Sequence, residues 1–139
     1  AEAPEEKGAA LSDFGHHLGL AFQMADDLLD YTMDTQALGK EVGADLREGK
    51  LTLPVIHALK QADSADYDQM VNIIQNEDFT VDEFKTLVGL LEKNDGIAYT
   101  KKKAATYIDK AKNALSVFEP SKTKDTLFDI ADYALLRST

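Results

Sequence analysis

Apolar residues recur along this chain at helical spacing almost from end to end, and nowhere in the two-residue alternation of a half-buried strand. The first segment runs from Ser12, read as an N-cap, to Thr32. It is apolar around most of its circumference, through Phe14, Leu18, Leu20, Ala21, Phe22, Ala25, Leu28 and Tyr31, which predicts a central, largely buried helix. Residues 1–11 are expected to form a loop or a frayed terminus. From Asp34 to Lys50 the periodicity fails, and Gly39, Gly43 and Gly49 mark a long connection, a kind of loop often used for function. Helices resume near Thr52 and Pro54, then over about residues 65–75. Another begins at Thr80, where Thr80 and Glu83 form a capping-box pair, and Asn94-Asp95-Gly96 stops it. Ala104, Ile108, Ala111, Leu115 and Phe118 make the cleanest stripe, closed by Pro120, and a last helix spans about residues 124–137. The expected fold is all-α: a helical bundle in a single domain of residues 1–139.

Composition narrows what such a bundle can do. Hydrophobic residues make up 44% and charged residues 29% of the chain, the balance of an ordinary globular domain, and no apolar run is long enough to span a bilayer. There is no cysteine, so no disulfide framework and no thiolate metal site, which is compatible with a reducing cytoplasm. The acidic N-terminal stretch lacks the apolar run of a signal peptide. A formal net charge of −10 argues against nucleic acid and against an electrostatically held membrane surface as partners. A phosphate-bearing substrate stays open if cations mediate the contact.

On the first helix His16, Gly19, Gln23, Asp26, Asp27, Asp30 and Asp34 fall in one narrow sector. This sector could simply be the wet face of an amphipathic helix. Against that, Asp is a poor interior helix former, and no Lys or Arg occurs between Lys7 and Lys40 to pair with these carboxylates one turn away. Carboxylates stacked at i and i+4 present hard oxygen ligands from a rigid support, a set suited to Mg²⁺ or Mn²⁺ rather than Zn²⁺. Lys40, Arg47 and Lys50 come soon enough after the helix to fold back towards the stripe and hold an anion, although any one of them could serve solubility alone. His16, His17 and His57 are read as buried or half-buried helix residues hydrogen-bonded nearby, and Lys101-Lys102-Lys103 as a solvated helix face.

Together these residues spell a family. Residues 14–31, with Phe22-Gln23-Met24-Ala25-Asp26-Asp27-Leu28-Leu29-Asp30 at their centre, resemble the second aspartate-rich helix of trans-isoprenyl diphosphate synthases. Gly39-Lys40-Glu41-Val42-Gly43-Ala44-Asp45-Leu46 and Gly49-Lys50-Leu51-Thr52-Leu53-Pro54 are similar to the loop that comes after it, in the same order and spacing. The resemblance reaches from about Leu11 to the end of the chain, and implies the C-terminal portion of the isoprenoid synthase fold. It implies a prenyltransferase that joins isopentenyl diphosphate to an allylic diphosphate with Mg²⁺, in a cytoplasmic, homodimeric parent. By the same resemblance Asp26 and Asp30 would bind metal directly, Asp27 and Asp45 would support it, and Lys40 and Lys50 would clamp the diphosphate. Gln23 would lie near the reacting carbon and Phe22 would form the apolar wall of the cavity. The family's first aspartate-rich motif has no counterpart in these residues, so little or no turnover is expected from them alone. Other readings are a half-length, non-catalytic partner of a heteromeric synthase, and a terpene cyclase, whose second metal motif usually carries Asn and Ser where Asp26, Asp27 and Asp30 stand here.

Overall fold

The computed structural model describes residues 4–32 and 43–136. Among them the protein is all-α: α1 (Pro4–Thr32), α2 (Ala44–Arg47), α3 (Leu53–Gln61), α4 (Ser64–Gln75), α5 (Val81–Lys93), α6 (Gly96–Ala114) and α7 (Lys122–Leu136), with a 3-10 turn at Leu115–Val117. No described helix is long and apolar enough to cross a membrane. The first helix corrects the expected boundary, for it begins at Pro4 rather than Ser12. Proline fits the first turn, where no N–H partner is needed, and Glu5 and Glu6 face the positive end of the helix dipole. The long connection also holds a turn of helix, α2. The fifth predicted helix ends earlier than its apolar stripe, with Leu115 to Val117 tightening into the 3-10 turn.

The chain forms two compact units, Asp27–Thr100 and Ala1–Asp26 with Lys101–Thr139, and both α1 and α6 run from one into the other. In the Asp27–Thr100 unit, α5 packs against α3 and α4. Phe84, Leu87 and Leu91 recur along its buried face and close on Val55, Ala58 and Met70. Both ends of α5 are fixed as the sequence predicts. Thr80 Oγ1 accepts from the Glu83 N–H at 3.1 Å while Glu83 Oε1 accepts from the Thr80 N–H at 3.0 Å. At the other end Asn94-Asp95-Gly96 stops the helix, with Asp95 in the left-handed backbone conformation (φ 68°). Gly96 is needed for another reason: a Cβ there would run into the Pro54 carbonyl oxygen of α3.

The start of α4 is tied to the end of α5 by charge. Asp63 Oδ1 caps α4 by accepting from the Asp66 N–H at 2.8 Å. The Asp66 carboxylate accepts from Lys93 Nζ at 2.9 Å and from Asn94 Nδ2 at 3.2 Å. Lys93, then Asn94, hold the Asp66 carboxyl below its ordinary value, and Asp66 raises Lys93 in return.

The other unit is closed largely by small side chains. Ala21 on α1, Ala111 on α6 and Ala131 and Ala134 on α7 are essentially inaccessible, with Phe14, Ile108 and Leu115 filling the space around them. Alanine at these positions lets helices approach closely while still removing apolar surface from water.

This packing can be probed at two positions. Asp66→Asn should lower the melting temperature by a few degrees at pH 7. Because the native carboxyl titrates below its unfolded value, the wild type's advantage is present above the ordinary carboxylate range and should fade as pH falls through the lowered value; thermal melts across that range check it. Gly43→Ala should cost about 2–4 kcal/mol in denaturant melts, since the residue has φ 63° and its Cβ would lie 2.6 Å from Phe84 Cε1 and 3.1 Å from Phe79 Cζ.

Candidate metal and diphosphate site

The acidic sector occupies the last turns of α1. Asp26 is exposed, whereas Asp27 and Asp30 are half-buried, and Asp26 and Asp30 lie one turn apart on the same face. The turn into α2 determines the environment of Asp30. Gly43, in the left-handed conformation, directs the chain into α2, whose first N–H groups have no partner within so short a helix. Asp30 accepts hydrogen bonds from this turn, from the backbone N–H groups of Asp45, Ala44 and Leu46. Its other oxygen, Oδ2, is buried and has no hydrogen-bond partner.

Burial, and after it the neighbouring Asp45 charge, push the Asp30 carboxyl up from its ordinary value of 3.8, while the three N–H groups pull it back. The uplift prevails, so the charged form is disfavoured where it stands. A hard cation would reverse that balance. The orphaned Oδ2, the adjacent Asp45 and the purely oxygen donor set fit a divalent ion such as Mg²⁺, which takes one or two carboxylates and fills its shell with water or phosphate oxygens. Among the described residues no three His, Cys, Asp or Glu side chains are gathered closely enough to enclose a metal by themselves.

An aromatic ladder, which the sequence pattern did not reveal, braces this corner. Tyr31, next to Asp30, is buried and shares a 3.1 Å hydrogen bond with Thr52 Oγ1, and burial raises its hydroxyl well above the ordinary value. Its ring stacks on Phe84 (centroids 6.0 Å apart), and Phe84 stacks on Phe79 (5.8 Å). Arg47 caps the ladder, its guanidinium 3.9 Å from the Phe79 ring centre, and donates to the carbonyls of Glu77 and Phe79 at 3.3 and 3.1 Å. This corrects the expectation that Arg47 turns back towards the acidic stripe: it clamps α2 to the connection between α4 and α5. The signal lay in Gly43, at which a side chain would strike both Phe79 and Phe84.

The other expected residues stand in more varied surroundings. Lys50 is 62% exposed and lies 3.9 Å from Asp45 and 3.4 Å from Glu48, loose surface pairs that leave its ammonium open to an anion. Lys40 and Asp34 lie outside the described residues. Gln23 is exposed, and Phe22 is half-buried against the cluster of Phe14, Ala21 and Leu115. His57 is half-buried as expected, 3.5 Å from Asp95 and stacked on Tyr99 with ring centres 3.7 Å apart. His17 stacks on Tyr107, but its buried Nδ1 has no hydrogen-bond partner, and His16 is exposed rather than buried. An exposed sector of α1 leaves His16 no apolar surface to fill.

The raised Asp30 carboxyl makes a test without added metal. Its contribution to stability is complete below the ordinary carboxylate value and is lost as pH rises through the raised native value. In chelator, Asp30→Asn should keep the acceptor for the α2 N–H groups and remove the charge. The variant should then melt a few degrees above wild type at pH 7 and lose the advantage near pH 4. Parallel pH profiles would contradict this account of the site.

A sequence profile described as polyprenyl synthetase matches residues 1–91. The chain is 35% identical over 136 residues to a prenyl transferase of Synechocystis, covering 98% of this chain and 41% of that protein. It is 37% identical over 129 residues to a short chain isoprenyl diphosphate synthase of Methanothermobacter thermautotrophicus, covering 93% and 39%. Its fold matches the crystal structure of a polyprenyl synthase from Caulobacter crescentus complexed with calcium and isoprenyl diphosphate, with a TM-score of 0.86 and 37% identity over 99% of this chain and 42% of that one. The chain thus spans about two fifths of the length of the relatives it matches.

Proposed function

This chain belongs to the polyprenyl synthetase family, and from that membership we propose that it supplies one metal-diphosphate half-site of a prenyltransferase. In the proposed reaction an allylic diphosphate loses its diphosphate by carbon–oxygen cleavage. The double bond of isopentenyl diphosphate forms a new carbon–carbon bond at the carbon so exposed, and loss of a proton leaves a longer polyprenyl diphosphate. The observation that carries this reading is the buried, unpartnered Oδ2 of Asp30 beside the charge of Asp45, one helical turn from Asp26.

In this reading Asp26 and Asp30 would hold the metal, with Asp27 and Asp45 supporting it. When bound, Mg²⁺ would supply Lewis acidity towards the departing diphosphate. Lys50, with Lys40, binds the diphosphate oxygens, a task suited to a compact, exposed ammonium. Gln23 faces the reacting carbon and Phe22 gives its hydrocarbon an apolar wall that excludes water. The Arg47 clamp and the aromatic ladder hold α2 so that Asp45 and the α2 N–H groups meet Asp30 in a fixed arrangement. A calcium- and isoprenyl-diphosphate-bound relative of the same fold supports the choice of ligands. The whole protein is read as a cytoplasmic homodimer.

Calorimetric titration of inorganic diphosphate into the chain with Mg²⁺ present tests the half-site. Binding should require Mg²⁺, and Asp26→Ala and Asp30→Asn should each weaken it by roughly tenfold or more. Diphosphate affinity that ignores both changes, in variants with wild-type helical content, would overturn the assignment. With a single aspartate-rich motif, the chain alone should show negligible chain elongation.

A further inference from the structure

The unit built from residues 1–26 and 101–139 holds a cavity of about 300 Å³ that the acidic stripe does not touch. It opens between the first turns of α1, the 3-10 turn and the start of α7. Its walls are apolar: Leu11, Leu115, Phe118 and Leu127. Two cations line it as well, Lys7 from α1 and Lys124 from α7, against a single acid, Glu119.

Lys124 is fixed in place. Its Nζ donates to the Phe118 carbonyl at 2.8 Å, and its backbone N–H donates to Ser121 Oγ at 3.1 Å, the cap of α7. One of the three ammonium hydrogens is used by that carbonyl, and two remain for a ligand. The N-terminal end of α7, a helix of 15 residues, adds its partial positive charge at the same cavity. In a chain of net charge −10 a locally positive, apolar-walled cavity is out of keeping with the rest of the surface.

A cavity of this volume lies at the small end of the range for small-molecule sites, where apolar walls supply affinity and a few polar groups fix orientation. We propose that it binds a small anionic amphiphile, with one short hydrocarbon chain against Leu11, Leu115, Phe118 and Leu127 and a carboxylate or phosphate head between Lys7 and Lys124. This site is independent of the proposed metal-diphosphate half-site.

The test is a titration of the 139-residue chain in chelator, tracked by its amide resonances, with four probes sharing a ten-carbon chain: decanoate, decyl phosphate, decanol and decyltrimethylammonium, each below its aggregation concentration. At least one anion should bind and shift the amides of Leu115, Phe118 and Leu127, and the two uncharged or cationic probes should bind far more weakly. Decanoate binding alone assigns a carboxylate head, decyl phosphate alone a phosphate, and both a site that takes either. Lys7→Met with Lys124→Met should weaken the anions about tenfold and leave decanol unchanged. If loss of the Lys124 bond to Phe118 disturbs the fold, exposed Lys7 changed to Met alone carries the test, with an expected loss of about threefold. Asp30→Asn should have no effect, which separates this site from the acidic one. Decanol binding as tightly as the anions, shifts centred on residues 26–50, or full affinity in the lysine variants would overturn the proposal.

Discussion

The Asp30 carboxylate is held by three backbone N–H groups on one side and pressed by burial and the Asp45 charge on the other, and the corner of the molecule around it is arranged to sustain that tension. Three hydrogen bonds from the first turn of α2 do not offset what burial takes away, so the native carboxyl stays above its ordinary value. The rest of the corner maintains the geometry. Gly43 allows the turn, Leu46 is buried, and Arg47 ties the far end of α2 to the carbonyls of Glu77 and Phe79. Tyr31, Phe84 and Phe79 stack in series, with Phe84 and Phe79 against Gly43. A carboxyl whose charged form is disfavoured by well-packed surroundings is preorganised for a partner of opposite charge, because little rearrangement is left to be done on binding.

That arrangement also reconciles an acidic protein with a phosphate-bearing ligand. A chain of net charge −10 repels diphosphate at a distance, so cations are needed at the point of contact. In the proposed half-site, hard divalent ions on Asp26 and Asp30 would reverse the local sign, and the exposed Lys50 would meet the same anion. Among the described residues no three acidic or histidine side chains gather to enclose a metal by themselves, and the chain spans about two fifths of its relatives.

Much of the helical layout could be read in the residues, because it rests on local chemistry. The capping box of Thr80 and Glu83, the stop at Asn94 and the apolar stripes of α5 and α6 each declare themselves within a few positions. The start of α1 was less legible: Ser12 looks like a cap, but Pro4, Glu5 and Glu6 begin the helix two turns earlier. Likewise the acidic sector is legible in the i, i+4 spacing and the absence of nearby lysines. The partners of those residues are not. Arg47 turning to Phe79, Tyr31 stacking on Phe84 and Asp30 reaching α2 all join residues far apart in sequence, and no local pattern encodes them.

Gly96 and Gly43 bear on how this molecule would look to a survey of its substitutions. Neither takes a side chain without displacing a neighbour: one faces a carbonyl of α3, the other two aromatic rings. Asp26, by contrast, is exposed. A screen that selects only for soluble, folded protein would therefore mark the two glycines as untouchable and pass over the aspartate. If the proposed half-site is right, a selection that depends on ligand would bring Asp26 forward, so the two kinds of intolerance would map different layers of the same chain.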